Sequence, residues 1–470
     1  MSLPGARISL IALFIASVAM LFIDITTKEL HGTPVFYAAL ARELVINNDP
    51  FLIFTGPEAY LLKPPLVIWI SALSMKWLGF THAAATLSPR LAGLAVVILT
   101  YAVVKRVFDV RVAALAGLVL LTNSTFIQFS TTLRMDPFVQ TGILLAVLGW
   151  LQRDSNRGSI FIFGGIALAL LTKGPVGLLG IVLMALHWTL LPQSREVPIN
   201  WHWAPLLTLP LAWYGYLWLE HGAAAVLSLS DDYMRANANP DLAFAESALL
   251  EYVKRPFSRY WPWLPFMVGG LLLPLWQLHR GRLSTPNSRA QLWFVLWCVL
   301  VVGSSAIKPD HDIRYLYPAL PALAALAGVV LAGLLDVTRG WIVALATAFL
   351  LSGTVWLISV HDLKDWRIDL YAMQQHVQKH HANYTNPVVI DAYPITPNSP
   401  RRQNTHRDWI YYYLGVEPRL ISHGAGGERI SSALPYLLTS RSDGYQTRLR
   451  FLGFKPLYVT KEMVMAIPHG

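Results

Sequence analysis

Residues 159–191 read SIFIFGGIALALLTKGPVGLLGIVLMALHWTLL, an apolar run interrupted at TKGP. As one α-helix this run would be about 50 Å long, because an α-helix rises about 1.5 Å per residue. The hydrocarbon core of a bilayer is only about 30 Å thick. We therefore expect the run to break at residues 172–175 into two short spans that meet at a polar tip. A membrane tolerates such a tip only where protein or a wet cavity covers it.

Apolar runs long enough to cross a bilayer recur along the chain. Its 470 residues are 54% hydrophobic and 14% charged, whereas a soluble domain carries about 25% charged residues. This composition predicts a polytopic α-helical membrane protein. The candidate spans are 8–24, 90–107, 111–130, 137–152, 159–172, 175–191, 203–219, 262–278, 290–306, 315–333 and 340–360.

The positively charged loops orient these spans. Residues 105–111, 152–157 and 279–289 carry Lys and Arg and are expected on the cytoplasmic side. This places residues 24–89 outside as one long first loop, with the run 66–80 lying on or dipping into the outer leaflet. About eleven spans result, and the C-terminus lies outside. The alternative, twelve spans with an internal C-terminus, puts the charged loops on the wrong side.

The composition changes after Val360, where charged and polar residues return. Stretches such as VVIDAYP and PLYVTKEMVMAIP are typical of short strands, and RDWIYYYLG is typical of a helix. The sequence therefore predicts a membrane domain over residues 1–360 and a small external α/β domain over residues 361–470.

The net charge of +10 and the single cysteine exclude several classes. In a membrane protein an excess of Lys and Arg indicates cytoplasmic loops and contacts with anionic membrane lipids, so we expect no nucleic-acid partner. Cys298 is the single cysteine and lies inside an apolar run, so a disulfide within the chain is excluded and a cysteine metal site is implausible.

Cations gather on the predicted outer rim of the membrane domain. Any one of them can be an interfacial anchor, but several on one rim repel each other unless an anion is present, and a lipid phosphate is the expected anion at that depth. These cations are Lys63, Arg90, Arg134, Lys173, Arg255, Arg259 and those of residues 308–314.

Two acidic features lie on the same rim. Asp136 precedes Pro137 at the start of a span, where it can cap the helix, pair with Arg134, or point into the cavity as a general base or metal ligand. In KPDHDIRY, residues 308–315, the side chains of Asp310, His311 and Asp312 are weak candidates for a divalent-cation site, and a solvated turn is the alternative.

Several motifs in order resemble a known family. They are YAALAREL (37–44), YLLKPPLVIWISAL (60–73), SPRLAGLA (88–95), LRMDPF (133–138), LTKGPVGLL (171–179) and RYLYPALPAL (314–323). Together they resemble bacterial membrane glycosyltransferases of the protein O-mannosyltransferase superfamily, especially the lipid A aminoarabinose transferase branch.

The resemblance implies a GT-C fold in the bacterial inner membrane, with a polyprenyl-phosphate sugar donor and an active site that faces the periplasm. It implies that the first loop and the C-terminal domain are periplasmic and that Lys63 binds the donor phosphate. From their place on the same rim we also expect Arg90, Lys173, Arg259 and Arg314 to bind that phosphate. We expect these residues to line the substrate cavity: Tyr37, Tyr60, Arg134 and Tyr315.

The chain departs from the family at one acidic pair. Members carry Asp-Glu where this chain has Thr33 and Pro34, and an acid is often found at the position of Leu62. The catalytic carboxylate is then expected from another acid. The candidates are Asp24, Glu29, Glu58 and Asp136; of these, Asp136 matches a family acid, and we take Asp136 and Glu58 as the catalytic candidates.

The sequence thus predicts an enzyme that moves a sugar from undecaprenyl phosphate to an envelope acceptor such as lipid A, another glycolipid or a protein. The alternative is a catalytically inactive homologue that binds or moves polyprenyl-linked lipids. No cofactor is expected with certainty, and a divalent cation is possible.

Overall fold

The computed structural model describes residues 3–23, 25–26, 30, 33–49, 54–55, 58–59, 63–191, 199–234, 250, 252, 254, 256, 259–281, 285–306, 312–337, 388–391, 412, 419–421, 436–440, 446, 449–450, 454–459 and 463–468. Within these residues the protein is mostly helical. Its α-helices are α1 (Leu3–Phe22), α2 (Thr33–Asn47), α3 (Leu66–Leu78), α4 (His82–Val107), α5 (Val110–Leu121), α6 (Ser124–Ser130), α7 (Asp136–Trp150), α8 (Asn156–Lys173), α9 (Leu179–Leu190), α10 (Thr208–Met234), α11 (Leu264–His279), α12 (Pro286–Ala306) and α13 (Leu320–Val337).

Several of these helices suit a bilayer. Among the described residues, four stretches are long and apolar enough to cross a membrane: His82–Val107, Asn156–Leu190, Pro286–Ala306 and Ile313–Asp336. The second of these stretches contains the turn Gly174–Leu178 between α8 and α9. The pair α5 and α6 makes a fifth if it counts as one span, and shorter apolar helices cover Ala6–Phe22, Leu66–Leu78 and Leu264–His279. The protein is therefore a multi-pass membrane protein. The number of about eleven spans stays a prediction, since the run 340–360 lies outside the described residues.

The predicted span 111–130 differs from the structure. It bends by 69° between α5 and α6. Asn123 explains the bend, because its side-chain oxygen accepts a hydrogen bond from the Phe126 backbone N–H at 3.1 Å and so begins a new helix. The polar sequence TNS, residues 122–124, was the signal for this break.

Contacts divide the chain into two compact units. The first comprises Met1–Ile23, Glu58–Val67 and Ser88–Ser359, and the second comprises Asp24–Pro57, Ile68–Leu87 and Val360–Gly470. The predicted domain boundary at residue 360 stays a prediction.

Buried tryptophans tie the helices of the first unit together. Each donates its indole N–H: Trp293 to the Leu183 carbonyl, Trp297 to the Pro318 carbonyl and Trp263 to the Thr122 hydroxyl, all at 2.9 Å. A buried indole N–H that lacks an acceptor destabilises a fold, so these bonds fix which side of each helix faces the core. Through Trp293 and Trp297, α12 holds both α9 and the 3₁₀ turn Ile313–Ala319 in place.

The second unit contains a five-stranded mixed sheet. Its strands lie in the order β4 (Arg419–Ile421), β3 (Val388–Asp391), β5 (Tyr436–Ser440), β7 (Met463–Pro468) and β6 (Phe454–Val459). Strand β3 pairs parallel with β4 and β5, whereas β7 pairs antiparallel with β5 and β6. Two further short strands, β1 (Phe54–Thr55) and β2 (Glu58–Ala59), precede α3. The strands at VVIDAYP and PLYVTKEMVMAIP were predicted; the place of this region outside the membrane stays a prediction.

One tyrosine joins three segments of the second unit. The Tyr412 hydroxyl donates to the Thr81 carbonyl at 2.9 Å, and the Tyr412 carbonyl accepts from Arg42 at 2.9 Å. The Arg42 guanidinium also lies 3.9 Å from the centre of the Phe80 ring. Since Tyr412 is fully buried, we infer that it helps to lock α2 and the α3–α4 turn to the C-terminal region.

Candidate active site

A sharp turn places Lys173 at the end of α8. The next residue, Gly174, has φ 57° and ψ −128°, a backbone conformation that glycine adopts far more readily than other residues. The chain then reverses and packs back on α8. Gly177 shows this, since a β-carbon added there would lie 2.8 Å from the backbone nitrogen of Leu170 on α8. The predicted break at TKGP is therefore confirmed, and Lys173 lies at its polar tip.

Asp136 forms an ion pair with this lysine. The Lys173 Nζ lies 2.6 Å from Asp136 Oδ1, and the two side chains are 13% and 5% exposed. Asp136 is also in the first turn of α7, where the helix dipole favours a negative charge. The sequence offered three interpretations for Asp136, and the structure favours an ion pair, with Lys173 as the direct partner.

The packing of α7 on α8 sets the geometry of this pair. A β-carbon added to Gly142 would lie 2.6 Å from the Gly165 carbonyl oxygen, and one added to Gly165 would lie 2.5 Å from the Ala146 nitrogen. The two backbones are therefore in direct contact with no room for a side chain between them. This contact holds the beginning of α7 and the end of α8 at a fixed distance, and with them Asp136 and Lys173.

A second cation comes from the 3₁₀ turn Ile313–Ala319. Asp312 caps this turn, since its carboxylate accepts from the Arg314 backbone N–H at 3.0 Å and lies 3.4 Å from Arg314 Nε. The Arg314 guanidinium donates to the Tyr315 hydroxyl at 3.0 Å. Arg314 and Lys173 are both close enough to Asp136 for their charges to interact with its carboxylate.

These two cations line a cavity of about 370 Å³. This volume is within the range of small-molecule sites. Its walls are mainly apolar and come from α9, α12 and the turns 173–178 and 313–319, with lining residues Lys173, Pro175, Val176, Leu178, Leu179, Val182, Leu300, Val301, Ser304, Ser305, Arg314, Tyr315 and Pro318. An apolar cavity with two cations in its wall suits an amphiphile with an anionic head.

Arg134 and Tyr317 surround this site. The Arg134 guanidinium lies 4.9 Å from the centre of the Phe129 ring and interacts with the Asp136 charge. Tyr317 is fully buried, its hydroxyl lies 3.0 Å from the Ser130 hydroxyl, and its ring stacks on Phe126. Tyr317 thus packs the 3₁₀ turn against α6, beside the segment that leads to Asp136.

Two predicted phosphate ligands have other partners. Arg90 is fully buried and donates to the carbonyls of Leu21 and Thr131. These contacts join the ends of α1 and α6, and the phosphate-binding role of Arg90 stays a prediction. Arg259 is exposed and donates to the Gln128 side chain at 2.8 Å.

Two further predicted site residues lie in α2 and just before α3. Lys63 is half-buried just before α3, and Tyr37 is buried in α2 beside Phe36. Their places in the site stay predictions. Outside the described residues lie Asp24, Glu29, Tyr60, Arg255, Lys308, Asp310, His311 and the side chain of Glu58.

The predicted metal site stays a prediction. Among the described residues no three His, Cys, Asp or Glu side chains form a group that could hold a metal ion. Of the three weak candidates only Asp312 is described, and its carboxylate is engaged by the Arg314 side chain and backbone.

Sequence reasoning missed uncharged residues of the cavity wall and of the turn that follows α8. Tyr214 donates to the Leu170 carbonyl at 3.3 Å, and its hydroxyl oxygen would lie 3.2 Å from a β-carbon on Gly174. Ser304 and Ser305 of α12 supply hydroxyls to the cavity wall. Tyr317 was within a quoted motif, but Tyr214, Ser304 and Ser305 carried no sequence signal that separates them from other residues of apolar spans.

Comparisons with known proteins identify relatives of this chain. Residues 62–217 match the family described as dolichyl-phosphate-mannose-protein mannosyltransferase. A Proteus mirabilis protein, undecaprenyl phosphate-alpha-4-amino-4-deoxy-L-arabinose arabinosyl transferase 1, is 23% identical over 332 residues, which are 65% of this chain and 56% of the relative. An uncharacterized protein of Aquifex aeolicus is 25% identical over 194 residues, which are 40% of this chain and 39% of the relative. The chain thus covers about two fifths to just over half of the length of these relatives.

Solved structures share the fold. ArnT from Cupriavidus metallidurans bound to undecaprenyl phosphate superposes with a TM-score of 0.67 at 16% identity, covering 97% of both chains. The oligosaccharyltransferase AglB from Archaeoglobus fulgidus gives a TM-score of 0.54 at 11% identity, covering 96% of this chain and 71% of the other. The chain therefore has the fold of GT-C membrane glycosyltransferases, and the resemblance predicted from its motifs is confirmed.

Proposed function

We propose that this chain, which has the GT-C fold of membrane glycosyltransferases, transfers a sugar from a polyprenyl phosphate to an acceptor in the bacterial cell envelope. The cavity carries the proposal, because its apolar walls and its two cations, Lys173 and Arg314, suit an isoprenoid chain with a phosphate head. Undecaprenyl phosphate appears in the names of a curated relative and of a structure with the same fold, which supports this donor class.

The proposed reaction breaks the bond between the anomeric carbon of the sugar and the donor phosphate oxygen. Polyprenyl phosphate leaves with the bonding electrons, and an acceptor oxygen forms the new bond to the anomeric carbon. Negative charge grows on the leaving phosphate, so Lys173 and Arg314 stabilise the transition state more than the bound donor. Lys63 is a further cation proposed for this phosphate. The Tyr315 hydroxyl, which accepts from Arg314, holds that guanidinium toward the cavity.

The acceptor oxygen must lose its proton, and the structure bears on which carboxylate accepts that proton. An ionised carboxylate 2.6 Å from an ammonium is a weak base, which makes Asp136 a poor proton acceptor. Glu58 then stands as the alternative base. A phosphate group as acceptor would need no base at all, because it is already ionised. Lipid A and other envelope glycolipids are the proposed acceptors, and a protein acceptor is the alternative.

The proposed orientation places the active site at the periplasmic face of the inner membrane. It rests on the positively charged loops predicted to be cytoplasmic and on the rim of cations at the opposite ends of the spans.

A second function is favoured by one observation. The acidic pair of the family is replaced by Thr33 and Pro34, and a protein without a catalytic acid could still bind or move polyprenyl-linked lipids. Incubating the purified full chain, in lipid nanodiscs, with polyprenyl-phosphate-linked sugar and envelope lipid separates the two. New glycolipid detected by mass spectrometry supports transfer. Binding of undecaprenyl phosphate without any product supports the lipid-binding alternative.

A further inference from the structure

We infer that Tyr214 of α10 is a positioning residue for the donor phosphate: its hydroxyl holds the turn that follows α8, and with it Lys173, at the cavity. This inference rests on the proposed function. It starts from the Leu170 carbonyl in the last turn of α8. That oxygen accepts one hydrogen bond from the Gly174 backbone N–H and a second from the Tyr214 hydroxyl at 3.3 Å. A carbonyl oxygen has two lone pairs, so both bonds form at once.

Tyr214 also lies against the other side of the same turn. A β-carbon added to Gly174 would be only 3.2 Å from the Tyr214 hydroxyl oxygen. The hydroxyl thus bonds to residue 170 and leaves little room beside residue 174, and Lys173 lies between these two positions in the chain. A fixed backbone limits where a side chain can reach, so the Tyr214 hydroxyl restricts the place of the Lys173 ammonium in the cavity wall.

The chain segment that carries Tyr214 is attached along the length of α8. At the beginning of α8, the Trp203 indole N–H donates to the Asn156 side chain at 2.7 Å. Further along, the Leu206 side chain lies beside Gly164. The segment therefore runs beside α8 in the same direction and reaches the end of that helix at Tyr214. Because its support is anchored at the start of α8, the Tyr214 hydroxyl can hold the turn at the other end.

The size of the expected effect follows from one hydrogen bond. A neutral hydrogen bond corresponds to about five-fold in an equilibrium constant. Without the Tyr214 hydroxyl, the ratio of displaced to correctly placed turns rises by about this factor. The apparent affinity falls with the fraction of molecules that are competent to bind, so a loss of about five-fold is the upper limit.

The test measures the dissociation constants of undecaprenyl phosphate and of the uncharged alcohol undecaprenol for the full chain in lipid nanodiscs. Tyr214→Phe should bind undecaprenyl phosphate about three- to five-fold more weakly than the wild type. It should bind undecaprenol like the wild type, because the alcohol lacks the phosphate that Lys173 is proposed to bind. Lys173→Ala should show a larger loss for the phosphate, and the double variant should bind like Lys173→Ala, because Tyr214 acts through Lys173.

Tyr101→Phe is the matched control. Tyr101 is buried in α4, and its hydroxyl donates to the Ala6 carbonyl of α1 at 3.0 Å, so this change also removes a hydroxyl-to-carbonyl bond between two helices. It should lower the unfolding temperature about as much as Tyr214→Phe does and should bind both lipids like the wild type. If Tyr214→Phe does not fold, Tyr214→Met takes its place, since the flexible methionine fills the space without a hydroxyl.

Several outcomes overturn the inference. Wild-type affinity of Tyr214→Phe for undecaprenyl phosphate does so, as does a double variant that binds more weakly than Lys173→Ala. Equal losses for the phosphate and the alcohol would reduce Tyr214 to a residue that only supports the fold. Wild-type protein that binds undecaprenyl phosphate but transfers no sugar overturns the proposed enzyme activity and leaves the positioning role standing. Wild-type protein that does not bind undecaprenyl phosphate overturns both.

Discussion

Gly165 on α8 lies against Ala146 on α7 so closely that a β-carbon on Gly165 would be 2.5 Å from the Ala146 backbone nitrogen. Its neighbour on the same helix, Gly164, is different: a β-carbon there would meet the end of the Leu206 side chain at 3.8 Å, an ordinary contact distance. Two adjacent glycines thus face a closed and an open environment, which allows a matched comparison.

Gly165→Ala should destabilise the protein, because the α7 and α8 backbones must separate to admit the methyl group. Overpacking of this kind costs about 1–3 kcal/mol. Since the same separation moves Lys173 away from Asp136, donor binding should also weaken. Gly164→Ala should be neutral or slightly stabilising, because alanine favours the helix. Thermal unfolding of both variants in one membrane mimetic checks this; equal unfolding temperatures would show that the α7–α8 contact is looser than described.

Lys63 and Arg314 are predicted to bind the donor phosphate. A hydrogen bond to a charged group contributes about 1.5–3 kcal/mol, so Lys63→Ala or Arg314→Ala should weaken binding about ten- to hundred-fold. Lys63→Arg should restore binding only in part, because a planar guanidinium replaces a compact ammonium. Titration with undecaprenyl phosphate measures the effect.

Lys76 provides the control for Lys63. It is an exposed lysine in the last turn of α3, and Lys76→Ala should leave donor binding unchanged. If Lys63→Ala also binds normally, Lys63 is an interfacial anchor and no part of the phosphate site.

Tyr412 predicts a dependence of stability on pH. Burial raises the pKa of its phenol, whereas an exposed tyrosine in the unfolded chain has a pKa of about 10. Above that pH the unfolded state loses the proton and the folded state keeps it, so stability falls as the pH rises above about 10. Tyr412→Phe removes this titration and also the hydrogen bond to Thr81, which costs about 1 kcal/mol at neutral pH. Its unfolding temperature should be lower at pH 8 and fall less steeply from pH 9 to 11; parallel slopes would contradict the buried phenol.

The predicted topology can be tested with cysteine labelling. In a Cys298→Ala background, Asn47→Cys and Lys455→Cys place thiols at exposed positions of the first loop and the C-terminal region. Both should react with an impermeant reagent in intact spheroplasts. Lys105→Cys, in a loop predicted to be cytoplasmic, should react only after lysis. Labelling of Lys455→Cys only after lysis would contradict the model of about eleven spans with an external C-terminus.

Much of the fold could be predicted because it follows from local chemistry. The break in residues 159–191 follows from a length that a bilayer cannot accommodate and from a Gly-Pro pair that ends a helix. The motifs with Lys173 and Arg314 indicated that these cations share a site, and both line the cavity. By contrast, the break at Asn123 was missed, because one capping side chain is a weak signal within an apolar run.

The partners within the site could not be predicted. Sequence placed Asp136 beside Arg134, two residues away, yet its direct partner is Lys173, 37 residues away. That choice depends on how α7 packs on α8, and this packing is set by the register of Gly142 against Gly165. The carbonyl partners of Arg90 could not be predicted for a similar reason, since they belong to the ends of α1 and α6.

The most direct test of the central proposal compares the envelope lipids of three strains by mass spectrometry. The strains are the wild type, a deletion of this gene, and the deletion complemented with Lys173→Ala. We predict a glycolipid whose mass exceeds that of its acceptor by one sugar; it should be present in the wild type, absent from the deletion strain and strongly reduced with Lys173→Ala. Identical lipid profiles in the wild type and the deletion strain would contradict a glycosyltransferase that acts on envelope lipids.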